Sequence, residues 1–289
     1  AVTHPFPLFS PEAVRIMRAE IAKPEVRSDH HFTRNLATSQ LHGYAQKHAP
    51  FTYAAWNHAK TVGIVSKLAG IDLVPWGDYE IAHINLSSCD QAGPSTRASE
   101  MHSPSPEGQA PIVSWHTDSY PFVCVLMLSD CTTMVGGETA LRTAHGEIIR
   151  IQCPIEGCAV ILQGRHVVHQ ASRPPGGQER ITAVTSWRPR SAFVKDESVL
   201  TTVRPVSNIN ELYVEFVAYR LEIVKERMTR AQTKMRARRQ TGYNFDTPGY
   251  KAILQDLIHF INLTDQQLIA EEEVKRGIVD DLTTGHLTC

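Results

Sequence analysis

The sequence predicts a β core, a sandwich or small barrel, set between a helical N-terminal third and a helical C-terminal tail. Short runs rich in Val, Ile and Leu crowd the middle of the chain, separated by turn-formers at Gly136-Gly137, Gly146, Gly157 and the PPGG of 174–177. Many short strands at such spacing suit a sandwich or barrel. Apolar residues recur at helical spacing before about Tyr79 and again after about Asn208, which marks the two flanks. The 289 residues, enough for a substantial core, divide on this reading into 1–78, 79–195 and 196–289 of a single domain.

In the first part, SPEAVRIMRAEIA has Ser10 as N-cap, Pro11 at the first helical position, and Val14, Met17 and Ile21 along one stripe. NHAKTVGIVSKLAG follows, with Val62, Val65 and Leu68 on one face and Gly70 as its stop. YEIAHINLSS reads as a strand, and residues 97–111, RASEMHSPSPEGQAP, as a polar loop. VSWHTDSYPFVCVLMLSD, GGETALRT, EIIRIQCP, CAVILQGRHVVHQA and ERITAVTSW are strand-like. In the tail, Leu212, Phe216, Leu221 and Val224 mark a long helix. Two more helices are expected, one capped by Thr247 before Pro248, the next by a Thr264/Gln267 capping box. There is no internal repeat.

A formal net charge of −1 gives no global field toward nucleic acid or anionic membrane. The AVTHPFPLFS start lacks the basic and apolar regions of a signal peptide, and the longest apolar run, Phe122 to Leu128, is too short to span a bilayer. Cys89, Cys124, Cys131, Cys153, Cys158 and Cys289 form no CxxC pair, so reduced thiols in a cytoplasmic protein are expected. The basic run Lys225, Arg227, Arg230, Lys234, Arg236, Arg238 and Arg239 has no interleaved aromatics and reads as a solvated helix face. Neither nucleic acid nor membrane is an expected partner.

Chemistry concentrates in VSWHTDSYPF. On a strand, His116 and Asp118 share a face, and an imidazole beside a carboxylate supplies two ligands of a facial triad, which suits Fe(II) and leaves positions open. GRHVVHQA offers His166 or His169 as the third, and on a strand only one of them can face the metal. Arg180 and Thr182 then share another strand face. A guanidinium turned into a barrel needs an anion, and a carboxylate held by two parallel hydrogen bonds, with a third from the hydroxyl, meets that need.

This combination resembles the Fe(II)/2-oxoglutarate-dependent dioxygenases, whose pattern is HxD, a distal His, and an Arg about ten residues beyond it, often as RxS or RxT. His169 precedes Arg180 by eleven residues and His166 by fourteen, so the resemblance selects His116, Asp118 and His169 as metal ligands. GGET at 136–139 resembles the family's glycine pair between the ligand segments. The resemblance covers roughly residues 80–190. It implies a double-stranded β-helix, a cupin-like jelly-roll with N-terminal helices and a helical C-terminal extension, forming a single catalytic domain. It also implies Fe(II) as cofactor, with 2-oxoglutarate, held by Arg180 and Thr182, and O2 as co-substrates. No catalytic residue beyond the ligands is implied.

For a small-molecule substrate, Tyr120 shares the metal face, and His102 and Arg97 lie in or beside the loop before the ligand strand. Arg188 follows the clamp strand, and Ile258 and Phe260 of the tail are placed to close the pocket. Trp115, on the other strand face, is expected in the core. The tail helices also offer a homodimer surface. YEIAHINLS and SWRPRSAF are similar in texture to tailoring enzymes of fungal secondary metabolism, which implies an amino-acid substrate undergoing hydroxylation or ring closure such as aziridine formation. The competing functions are an iron oxygenase that uses no 2-oxoglutarate, a cupin-like metal-binding module, and an interaction protein working through its basic helix.

Overall fold

A computed structural model describes residues 1–33, 39–87, 111–174 and 178–278. In chain order the helical part holds β1 (Phe6–Pro7), α1 (Pro11–Ile21), α2 (Pro24–Asp29), β2 (His31–Phe32), β3 (Gln40–Leu41), α3 (Ala45–His48), α4 (Pro50–Asn57), α5 (Ala59–Ala69) and β4 (Leu73–Pro75). The core holds β5 (His83–Ser87), β6 (Val113–His116), β7 (Phe122–Met127), β8 (Thr139–Arg142), β9 (Ile148–Ile151), β10 (Cys158–Leu162), β11 (Val168–Ala171) and β12 (Arg180–Pro189). Helices α6 (Ile209–Gln240) and α7 (Thr247–Asp265) follow.

All strand pairings are antiparallel, in two sheets. The large sheet has the order β1-β10-β7-β12-β5-β3-β2, with β4 added to β12, and the small one has the order β6-β11-β8-β9. Successive core strands are therefore dealt between the sheets, so that β6 pairs with β11 and β7 with β10 and β12. The expected antiparallel sheets flanked by helices are present.

The large sheet is buried on both faces, and strand alternation sorts its residues. Ile84, Leu86, Cys124, Leu126, Ile181, Ala183 and Trp187 pack with Val14, Met17, Ile21 and Trp56 of α1 and α4. The intervening residues of the same strands, among them His83, Asn85, Val123, Val125, Arg180, Thr182, Val184 and Ser186, line a cavity between the sheets. One face thus builds the core while the other carries polar groups.

Several local expectations hold. Ser10 Oγ accepts from Ala13 N at 3.3 Å, and Gly70 ends α5 in the left-handed region at φ 74. Others are corrected. In α5 the buried face is Thr61 and Val65; Thr61 donates to the Ala55 carbonyl at 2.7 Å, which turns that side inward and leaves Leu68 exposed. In α6, Leu221 is 61% exposed, because the buried side runs through Ile209, Leu212, Phe216, Tyr219, Arg220 and Ile223. A hydrophobic count overlooks Arg220, which is buried over the Phe260 ring and paired with Asp196. Asp246, not Thr247, caps α7 through Gly249 N. Thr264 lies inside α7 and donates to the Phe260 carbonyl, so no separate helix starts there, and among the described residues only a short turn at Glu271–Glu273 follows. Trp115 is half-buried outside the core, under the Arg142 guanidinium.

Among the described residues Cys124, Cys131, Cys153 and Cys158 are free and buried, while Cys89 and Cys289 lie outside the described residues. No described helix is long and apolar enough to cross a membrane.

Candidate metal centre and cavity

Strand β11 lies between β6 and β8, and its register sets His169 directly across from His116. Their rings are 4.3 Å apart between centroids. Strand β6 ends at His116, so Asp118 is placed by a loop instead of by strand alternation. Its backbone N–H donates to the Gly164 carbonyl at 2.9 Å. That bond ties the loop after β6 to the turn before β11 and brings the carboxylate between the two imidazoles.

The donor atoms of the three residues lie within 4.8 Å of one another. His116 Nε2 is 3.6 Å from one Asp118 oxygen, and His169 Nε2 is 3.6 Å from the other. These separations are long for hydrogen bonds and fall under the roughly 4.2 Å limit for two ligands each about 2.1 Å from one ion. His116 Nδ1 lies 2.7 Å from the Ser114 carbonyl and His169 Nδ1 3.0 Å from that of Val167. A carbonyl only accepts, so each Nδ1 carries its proton and each Nε2 presents a lone pair, the tautomer that metal-ligating histidines use. Burial also holds His169 below the ordinary imidazole range, which favours the neutral, ligating form. The donor set fits a divalent transition metal of the facial-triad kind.

Gly164 was not singled out by sequence reasoning. A Cβ there would lie 2.8 Å from Asp118 Cβ and 2.7 Å from the Tyr120 carbonyl oxygen, so only glycine lets the two loops approach. His166 is exposed and ion-paired with Glu197 at 2.7 Å, away from the triad.

Arg180 and Thr182 sit on the inner face of β12 and line the same cavity. Arg180 is 2% exposed. Its Nε donates to the Gly137 carbonyl at 2.7 Å and one Nη reaches Thr139 Oγ1 at 3.4 Å, while Nη1 has no partner. Gly137 belongs to the GGET segment and has φ +71, and a Cβ on it would meet Met134 Sδ at 2.8 Å. Among the described residues Arg180 has no ion-pair partner. A buried guanidinium without an anion is costly, so a bound anion fits this end of the cavity.

The substrate expectations divide. Tyr120 lines the cavity, buried against Trp76 at 4.8 Å between ring centroids. Burial and the nearby Glu80 carboxylate push its phenol well up. Arg188 does not line the cavity; its guanidinium stacks on Tyr219 at 4.5 Å, and its Nε donates to the Trp76 carbonyl. Ile258 is 51% exposed. Phe260 is buried under the Arg220 and Arg227 guanidiniums. The tail helices thus pack away from the cavity at these positions. Arg97 and His102 lie outside the described residues.

Sequence reasoning missed a second polar group. Gln40, Glu80, His83, Asn85 and Ser186 line the cavity, and His42, Glu80 and His83 form another buried His/carboxylate/His cluster. The signal was present in HINLS, where His83, Asn85 and Ser87 alternate as His116 and Asp118 do.

No protein-family model matches the chain, and no curated protein matches it. Solved structures do. A Pseudomonas putida prolyl-4-hydroxylase is similar at 15% identity over 66% of this chain and 92% of its own, with TM-score 0.42. The non-haem alpha-ketoglutarate-dependent epimerase SnoN from nogalamycin biosynthesis is similar at 15% identity over 66% of this chain and 78% of its own, with TM-score 0.47. A 2OG-Fe(II) oxygenase family oxidoreductase from Burkholderia pseudomallei is similar at 14% identity over 64% and 83%, with TM-score 0.41.

Proposed function

We propose that the chain is a non-haem Fe(II)/2-oxoglutarate-dependent oxygenase that oxidises an unactivated C–H bond of a small molecule. The observation that carries this reading is the pairing, in one cavity, of the His116/Asp118/His169 donor set with a buried Arg180 that, among the described residues, has no ion-pair partner and is short of one hydrogen-bond acceptor. The strand order supports a double-stranded β-helix. A core shared by the sheets with Leu212, Phe216 and Phe260 supports reading 1–289 as a single catalytic domain.

His116, Asp118 and His169 would hold iron, and Arg180 with Thr182 would hold the far carboxylate of 2-oxoglutarate. Bound iron, 2-oxoglutarate and O2 together supply an oxidant able to remove hydrogen from a C–H bond, with succinate and CO2 as co-products. The protein's part is placement and dryness. The backbone carbonyls of Ser114 and Val167 orient the imidazoles, Gly164 admits Asp118, and the apolar Val113, Val123, Val125 and Val184 wall the cavity against water. An amino acid, hydroxylated or closed to a ring such as an aziridine, is the substrate proposed. Turnover tests the reading: incubation with Fe(II), 2-oxoglutarate, O2 and a panel of amino acids is expected to release succinate in step with consumption of one of them. Substrate oxidation without succinate would instead identify an oxygenase independent of 2-oxoglutarate, and iron binding with no oxidation a cupin-like module.

A further inference from the structure

We propose that the wall of the cavity built by β3, β5 and the turn before β5 is a subsite for a primary amine, held by the Glu80 carboxylate and the Gln40 side-chain carbonyl. This rests on the small-molecule reading above. Gln40 and Asn85 face each other across the β3–β5 pair, and Gln40 Nε2 donates to Asn85 Oδ1 at 2.6 Å. That bond fixes the amide and leaves Gln40 Oε1, fully buried, without a partner. Glu80 is backed by His42, whose Nε2 lies 2.8 Å from Oε1. His42 Nδ1 faces the Val206 carbonyl and Ser207 Oγ, and the Ser207 hydroxyl donates to the Val203 carbonyl. Both neighbours accept, so Nδ1 carries a proton and one further proton is shared between Nε2 and Oε1. Whichever atom holds that proton, Glu80 Oε2 remains an acceptor, met by the Ser186 hydroxyl at 3.3 Å and faced by the Tyr120 phenol. The wall thus offers two acceptors to the cavity, Gln40 Oε1 and Glu80 Oε2. A primary ammonium brings three N–H donors and no acceptor, which suits oxygens that only accept. A hydroxyl brings one donor, and a carboxamide brings an acceptor of its own.

Calorimetry on the anaerobic full-length protein loaded with Fe(II) and 2-oxoglutarate tests this, with n-butylammonium, n-butanol and butyramide as probes. Butylammonium is expected to bind about tenfold or more tightly than either neutral probe, and Glu80→Gln to remove about that factor. Gln40→Met, which deletes the open acceptor while keeping bulk, is expected to weaken the amine severalfold. Equal binding of all three probes, or unchanged amine binding in both variants, overturns the subsite. The absorbance of the iron chelate in the same samples separates the two claims: its absence with amine selectivity intact refutes the iron reading alone.

A separate observation concerns α6. We infer that its outer face pairs antiparallel with the same helix of a second copy of this chain. Val214, Leu221, Met228 and Met235 recur every seven residues and are 69%, 61%, 49% and 41% exposed. Half-buried Val217, Val224 and Ala231 fall between them, Val217 and Val224 also packing on the chain's own core, which gives the a/d spacing of a coiled-coil seam. Charge fixes the direction. Exposed Glu211 and Glu222 lie in the first half of the helix and exposed Arg230, Lys234, Arg236 and Arg239 in the second, with exposed Lys225 and Glu226 adjacent at the midpoint. Parallel pairing sets like charge against like, whereas a two-fold axis between Leu221 and Met228 sets the acidic half against the basic half. Sedimentation is expected to show a dimer in the micromolar range that weakens with salt and becomes a monomer in Leu221→Asp/Met228→Asp at unchanged helicity. Mixed Leu221→Cys and Met228→Cys chains are expected to cross-link more readily than Leu221→Cys alone. A monomeric wild type, or a dimer indifferent to the double variant, overturns the inference.

Discussion

Two clusters of histidine, carboxylate and histidine meet one cavity, the second through Glu80 and His83 with His42 behind them, and they are built oppositely. In His116/Asp118/His169 both Nδ1 atoms are engaged by backbone carbonyls, and both Nε2 atoms stand 3.6 Å from the carboxylate. In His42/Glu80/His83 the imidazole of His42 closes directly on Glu80 at 2.8 Å, with side chains 0% and 2% exposed. The first cluster holds its donors apart around a shared point. In the second, His42 and Glu80 spend theirs on each other. Residue type is therefore a poor guide to a metal centre, and the fate of each ring nitrogen is a better one.

The largest effects should separate the clusters outright. His116→Ala or Asp118→Ala is expected to abolish iron binding and turnover while the thermal midpoint moves little. His42→Ala is expected to keep iron but to lose about 3–5 kcal/mol of stability in denaturant titrations, because it strands a buried Glu80. Iron retained in the first pair, or lost in the last, reverses the assignment. Arg180→Ala should weaken 2-oxoglutarate binding about 10- to 150-fold, the value of a hydrogen-bonded charge contact of about 1.5–3 kcal/mol; unchanged co-substrate affinity removes Arg180 from that role. Gly164→Ala, which touches no metal, should cost about 10- to 100-fold in iron affinity by pushing Asp118 aside. Equilibrium dialysis reads this directly. His169→Ala should abolish iron binding, whereas His166→Ala, which removes only an exposed pair with Glu197, should leave it within about twofold.

The smallest effect lies beside the second cluster, at Glu215. Burial beside the Tyr79 amide pushes the Glu215 carboxyl up to about 7. An acid whose folded value is raised holds its proton longer in the folded state than in the unfolded chain. Stability should therefore fall as pH rises from about 4.5 toward 7, and Glu215→Gln should flatten that slope in thermal melts across the interval. An unchanged slope removes Glu215 as its source.

The sequence exposed the first cluster because its spacing is local. HxD is contiguous, His169 and Arg180 follow at a regular interval, and β12 then places Arg180 and Thr182 on one face. Even there the reason differed, since Asp118 is positioned by Gly164 and not by the strand. The second cluster was hidden because its members meet only through tertiary packing. Gln40 sits on a two-residue strand too short to show alternation, and His42 and Glu80 are 38 residues apart. Helices were legible where apolar residues alone face inward, as at Val14, Met17 and Ile21. They were misread where an arginine or tyrosine does so, as at Tyr219 and Arg220, which turned Leu221 outward.

The most direct test of the central claim is an anaerobic titration of the Fe(II)-loaded protein with 2-oxoglutarate, followed through the visible charge-transfer band of the chelate, with His169→Ala and Arg180→Ala alongside. The account predicts a band that saturates in the wild type, is absent without His169, and needs far more 2-oxoglutarate without Arg180. Bound iron with no band in the wild type, or a band that survives in His169→Ala, would contradict it.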